Sequence, residues 1–304
     1  MIALSTAWIP QDGWPIEQVL DRLDVLHPQG VEFNYRVHPL DLARTQRELE
    51  KRGLTVTSLH NICSTNHTPV PHTDRYGDSI AALDEAVRQA AVMSLIATAE
   101  TARALGASAI VVHSGAVESL KDADVYLQTM KQATRANMPE ILQRELPALL
   151  EERQRVAPQQ LAQLVKSLNE VCPQFPDLRF GLETRYHFHG FPDFDELDLV
   201  LAQMDGDNVG YWHDCGHGQV QEHLGIRRHE DWLRRYQGRL IGIHLHGMSN
   251  QLLDHEAPAP DNMDFLMVRR YTNADTLLTI EAHAGNSVKA MQAGIAYLES
   301  IFLA

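Results

Sequence analysis

LIGIHLHG, residues 240–247, decides how the rest of the chain is read. It opens as an apolar run of the kind buried on both faces of a parallel sheet. It ends in two imidazoles, His244 and His246. Residues two apart on a strand share a face, so both rings point to the same side. Burying an unpaired polar group at the end of an apolar strand is costly. Such an ending therefore calls for a partner, a ligand or an ion.

The same grammar recurs on either side. Ile2–Ser5, Gly30–Phe33, Thr55–His60, Ala109–His113, Arg179–Glu183, Val209–Asp214, Leu240–His246 and Thr276–Glu281 are all near-continuous β-favouring runs. Helical patterns separate them at Pro15–Leu26, His38–Arg52, Ser79–Leu105, Phe194–Gln203 and Ser287–Phe302. Gly53 and Gly106 follow two of these as C-cap signals. Alternation of this kind predicts an α/β fold, a closed parallel (β/α)8 TIM barrel forming one domain over residues 1–304. No Gly-x-Gly-x-x-Gly follows a strand, so no nucleotide cofactor is expected. The connection 116–178 is oversized and reads as two or three helices broken near Pro139 and Pro158. It is either a lid or oligomer arm, or an elongated barrel helix with a solvated face.

Composition narrows the function classes. The 304 residues carry a formal net charge of -14, which offers no basic footprint for nucleic acid. No apolar run approaches the roughly 20 residues of a membrane span. The 3 cysteines form neither a disulfide framework nor a Cys-x-x-Cys pair, so a cytoplasmic setting is expected. Histidine is plentiful at 16, whereas lysine occurs only at Lys51, Lys121, Lys131, Lys166 and Lys289. All five lysines fall in helical stretches or at their ends. Imine chemistry inside a barrel is thereby disfavoured. No nucleophile elbow is present either.

In a barrel of this type, polar groups at the C-terminal strand ends face the active site. Those ends carry Glu32, His60, His113, Glu183 with Arg185, Asp214 with His217, His244 with His246, and Glu281. Glu183, Asp214, His244 and Glu281 supply three carboxylates and one imidazole, an oxygen-rich set suited to Mn²⁺, Mg²⁺ or Co²⁺. His60 and His113 are either ligands of a second, zinc-like ion that shares Glu183 or neutral imidazoles that bind substrate.

The array of Glu at strand five, Asp-x-x-His at strand six, His-x-His at strand seven and Glu at strand eight resembles the xylose isomerase-like barrel superfamily. That group contains sugar isomerases and epimerases, inosose-processing enzymes and the endonuclease IV family. The resemblance runs from VEFN of strand two to IEAH of strand eight. DHEAPAPDNMDF, Asp254–Phe265, is similar to the family's loop after strand seven, with Pro258-Ala259-Pro260 where a Pro-Gly turn is usual. The resemblance implies that Glu183, Asp214, His244 and Glu281 hold the principal metal. It implies that Glu183 and Glu281 also move the proton. His217 would contact substrate or a further ion, and Arg185 a substrate oxygen or phosphate. Glu32, His246 and His255 are expected to bind substrate.

The remaining candidates have ordinary readings. His213 alternates away from Asp214 and is expected outside the site. His187 and His189 are placed on a solvated loop, and His27, His38, His72, His223 and His229 on the surface. Cys215 reads as a small packing residue, and Trp14 and Trp212 as pocket walls. The leading expectation is a divalent-metal-dependent isomerase or epimerase of a small carbohydrate, acting through an enediolate, with a homo-oligomer open. A related inosose-type dehydratase would share that chemistry. The alternative is an abasic-site endonuclease with a zinc cluster, although Leu253 stands where its Asp-x-His spacing wants aspartate.

Overall fold

Eight parallel strands close on themselves in sequence order: β1 (Ile2–Ser5), β2 (Gly30–Phe33), β3 (Thr55–His60), β4 (Ala109–Val112), β5 (Arg179–Glu183), β6 (Val209–Asp214), β7 (Leu240–Leu245) and β8 (Leu277–Ile280). The last strand returns to the first through Ala3↔Thr279 and its neighbours. The computed structural model describes residues 1–65, 78–118, 120 and 123–303, so His72 and Lys121 lie outside the described residues. Among the described residues, no helix is long and apolar enough to cross a membrane.

Helices α1 (Ile16–Asp24), α2 (Leu42–Arg52), α3 (Glu85–Ala104), α4 (Ala123–Met130), α5 (Glu140–Val171), α6 (Phe194–Leu201), α7 (Cys215–His223), α8 (His229–Tyr236), α9 (Phe265–Arg269) and α10 (Val288–Phe302) connect the strands. Their starts follow capping chemistry. Asp41, Asp84 and Ser287 accept from first-turn backbone amides, and Asp193 with Glu196 forms a reciprocal capping box. The expected C-cap at Gly53 adopts φ 65°, a left-handed geometry that glycine accepts without a Cβ clash.

Outward-facing strand residues such as Val31, Ile110, Leu182, Tyr211 and Ile243 join the helices in the main core. Inside the barrel, Trp212 packs with Ala109, Val111 and Ile241, and this cluster floors the interior. A Cβ at Gly242 would fall 2.4 Å from the Trp212 ring, and one at Gly181 2.9 Å from it. Glycine at both positions therefore makes room for the indole.

The long connection departs from its expected form in one respect. The break at Pro139 is present, as the N-cap of α5, but there is none at Pro158. The helix runs 32 residues through both Pro147 and Pro158. Each proline removes one backbone hydrogen bond, and burial on both sides offsets that loss. The C-terminal half sets Leu161, Leu164, Leu168 and Val171 in the main core. The N-terminal half sets Leu142, Leu146 and Leu149 in a second cluster with Tyr126, Phe188, Val220, Leu224, Met248 and Leu252. Buried Arg153 fastens the helix to Glu196, with Nη1 at 2.6 Å from Oε1 and Nη2 at 2.8 Å from Oε2. Within this connection α5 is an elongated helix whose N-terminal half packs against residues that follow β5, β6 and β7.

Candidate active site

Strand alternation and one helix cap put four groups together. Glu183 ends β5 with its side chain inward, opposite in phase to Leu182 in the outer core. Asp214 ends β6 and also caps α7, accepting from the His217 amide at 2.7 Å, which fixes the carboxylate. His244 stands on β7 above Trp212, with ring centroids 5.2 Å apart. Glu281 directly follows β8. His244 Nδ1 lies 2.7 Å from Glu183 Oε1, 2.9 Å from Glu281 Oε2 and 3.6 Å from Asp214 Oδ2. The four donor atoms lie within 4.8 Å of one another, and all four residues are buried.

Three buried carboxylates at this separation repel one another unless a cation joins them. Burial pushes the His244 pKa down, but Glu281, Glu32, Asp214 and Glu183 outweigh this and raise it well above the usual value. Burial likewise pushes Glu183 up, while His113, His244 and Arg185 together hold it well below the carboxylate range. Asp214 is held low against its burial by His217, His246 and His244. A donor set that needs a cation at its centre fits a divalent ion, with Glu183, Asp214, His244 and Glu281 as its holders.

A second donor group adjoins the first through Glu183. His113 Nε2 lies 2.9 Å from Glu183 Oε2, and His60 Nε2 lies 4.0 Å from Oε1. The far nitrogen of His113 meets Asp78 at 2.9 Å. A third group joins His217, Asp254 and His255. His217 gives Nδ1 to the Thr184 carbonyl at 2.7 Å and turns Nε2 toward Asp254 at 3.2 Å. Asp214 and Asp254 overcome the effect of burial and raise His217 to about 9. Leu253 stands where the Asp-x-His spacing wants aspartate, and the aspartate of this group is the next residue, Asp254. His255 adopts φ 58° and accepts this left-handed geometry between two ring neighbours, His246 and His283, at 4.2 and 4.0 Å.

A cavity of about 240 Å³ opens above these groups, lined by Asn34, Tyr35, His60, Asp78, His113, Glu183, Arg185, Tyr186, His217, Asp254, His255, Glu281 and His283. Among the described residues, six carboxylates stand in or directly beneath it (Glu32, Asp78, Glu183, Asp214, Asp254, Glu281), with one guanidinium, Arg185. That guanidinium donates to Glu183 Oε2 at 2.6 Å.

Several expectations need correction. Glu32 does not line the cavity. It is fully buried beneath the quartet, accepting from Ser58 Oγ at 2.7 Å and from His244 Nε2 at 3.1 Å. His246 is also fully buried and is engaged by Asp214 at 2.9 Å rather than by the cavity. Trp212 is the barrel floor, and Trp14 packs against the outer core. His229 is 1% exposed, not a surface residue, because Nε2 meets His213 Nε2 at 2.8 Å behind the barrel. His187 and His189 are half-buried, stacked at 5.3 Å. Asn34, Tyr35, Asp78, Tyr186, Asp254 and His283 were missed as lining residues. Of these, Asn34 directly follows β2 and His283 stands two residues beyond Glu281.

Residues 26–301 match the sequence pattern of the xylose isomerase-like TIM barrel. Among solved structures, an L-ribulose 3-epimerase superposes with a TM-score of 0.69 at 16% identity, over 99% of this chain and 94% of that one. A D-psicose 3-epimerase from Clostridium cellulolyticum H10, solved with D-tagatose, gives 0.69 at 12% identity, over 99% and 98%. The IolI protein with a bound zinc atom gives 0.64 at 10% identity, over 99% and 97%. At these identities the likeness shows a shared fold. No curated protein matches the chain.

Proposed function

The chain belongs to the xylose isomerase-like TIM barrel family, and on that premise we propose that it is a divalent-metal-dependent isomerase or epimerase of a small carbohydrate. The observation that carries this reading is the buried quartet of three carboxylates around His244, open on one side to a cavity rich in hydrogen-bonding groups. Its sugar-epimerase neighbours and the zinc in IolI point the same way.

Glu183, Asp214, His244 and Glu281 would hold the ion, which when bound supplies Lewis-acid polarisation of the substrate carbonyl. Glu281 is the base. Both of its ion-pair contacts use Oε2, which leaves Oε1 for the proton beside the carbonyl. Transfer of that proton from carbon to Glu281 leaves an enediolate. In isomerisation Glu281 would return the same proton at the neighbouring carbon, the hydroxyl proton moving between the two substrate oxygens; in epimerisation Glu183 would first take a proton from solvent and deliver it on the opposite face, Glu281 giving its own to solvent. His60, His217 and His255 line the cavity as hydrogen-bonding partners for hydroxyl groups, with Arg185 orienting Glu183.

The test is Glu281→Gln, with solvent deuterium exchange into a responsive ketose followed by NMR. Exchange should fall by at least about 10²-fold. Exchange at the wild-type rate would remove Glu281 from the role assigned to it. An abasic-site endonuclease is the second reading. It is favoured by the His60–His113–Glu183 and His217–Asp254–His255 groups beside the quartet. Incision of an abasic oligonucleotide with added Zn²⁺ would establish it.

A further inference from the structure

We propose that Glu32 is a positioning residue that sets the ring tautomer of His244, taking the Nε2–H so that Nδ1 is the nitrogen offered to a divalent ion. The inference rests on the reading of Glu183, Asp214, His244 and Glu281 as the ion's holders.

Both ring nitrogens of His244 face carboxylates, so the ring alone does not decide which one carries hydrogen. The surroundings decide it. Nδ1 points into the quartet, 2.7 Å from Glu183 Oε1 and 2.9 Å from Glu281 Oε2. Nε2 points away, to Glu32 Oε1 at 3.1 Å and Oε2 at 3.3 Å. Glu32 stands outside the cavity lining and is fully buried. Ser58 on the neighbouring strand donates to its Oε2 at 2.7 Å, which fixes the carboxylate plane. A buried carboxylate without good partners is expensive. This one is tolerated because the Ser58 hydroxyl and the His244 N–H satisfy it. Its side chain crosses the barrel interior from β2 to reach a ring on β7. Trp212, edge-on at 5.2 Å, supports the same ring from below. A carboxylate on the far N–H is the arrangement that orients a ligand histidine and strengthens its free lone pair.

The experiment measures metal binding, not turnover. Metal-stripped full-length chain is titrated with Co²⁺ and Mn²⁺ by calorimetry, as wild type, Glu32→Gln, His244→Gln and the double variant. Glu32→Gln is near-isosteric and should weaken binding 10–100-fold. His244→Gln should weaken it further, and adding Glu32→Gln to His244→Gln should then change nothing. Binding by Glu32→Gln within twofold of wild type, while His244→Gln loses it, overturns the role of Glu32 and leaves the quartet standing. Binding by His244→Gln equal to wild type overturns the quartet reading itself. Nitrogen-15 NMR of histidine-labelled wild type with Zn²⁺ tests the tautomer without relying on a variant that folds. Nε2–H with Nδ1 on the ion is expected, and Nδ1–H with Nε2 on the ion overturns the proposal.

Discussion

Arg185 donates from Nη1 to Glu183 Oε2 at 2.6 Å, across only two residues of chain. The strand ends between them, so the guanidinium folds back onto the carboxylate that precedes it. Arg185 is one of the groups holding Glu183 well below the usual carboxylate range, after His113 and His244. Replacing it as Arg185→Gln removes that support, and the Glu183 pKa rises. Less of the ionised form is then present at acid pH. The acidic limb of the kcat/KM profile should move to higher pH, with a loss of about tenfold or more at its plateau. An unmoved limb would separate Arg185 from the ionisation of Glu183.

The buried pair His213 and His229 gives a stability prediction. Burial lowers both, His229 to about 4 and His213 well below its ordinary value. In the unfolded chain both titrate near 6.5. Below that pH the unfolded chain binds protons that the folded chain refuses, so these two groups make stability fall as pH falls from about 6.5 toward about 4. His229→Gln removes one such group. Its stability curve should lose about 1.4 kcal/mol per pH unit of slope in that window relative to wild type. Urea unfolding at pH 5 and pH 7 measures it, and parallel curves would refute it.

Gly242→Ala should damage the barrel from inside. The added Cβ would meet Trp212 Cζ3 at 2.4 Å and Cη2 at 2.5 Å. Overpacking of this kind costs about 1–3 kcal/mol, readable in denaturant midpoints. Because β7 carries His244 two residues later, ion binding should weaken as well. Trp212→Leu in the same chain should recover part of the loss, giving a non-additive double-mutant cycle. Simple additivity would show that the indole is not what the methyl strikes.

Stripping the ion should lower stability through mass action. An ion held at 100 times its dissociation constant stabilises the folded chain by about 2.7 kcal/mol. A chelator should therefore lower the melting temperature by on the order of 5 °C, and Mn²⁺ or Co²⁺ should restore it. Asp214→Asn should abolish that response, as read by scanning calorimetry.

The strands were legible because each is an apolar run with a sharp polar end. β1, β2, β3, β5 and β6 stand at the residues expected. Glu183, Asp214, His244 and Glu281 were legible for the same reason, and the structure brings them together. Glu32 carried the same strand-end signal but serves one layer lower. Alternation tells which way a side chain points, not how deep it stands. Asp254 and Asp78 are loop residues placed by backbone turns, which leave no periodic trace. His229 looked polar and helical and therefore exposed. Its burial depends on a partner on another element, His213, and on Gly218, where a Cβ would come within 2.6 Å of the His229 ring. The unbroken α5 was hidden by Pro158, whose local cost is outweighed by apolar contacts far away in sequence.

The Trp212 floor has a kinetic consequence. The indole and its neighbours pack below the quartet, and the cavity lies on its other side. On the proposed reading, an ion held by Glu183, Asp214, His244 and Glu281 would leave past the position a sugar occupies. Metal exchange should then slow as substrate occupancy rises, the sugar acting as a lock on the ion beneath it.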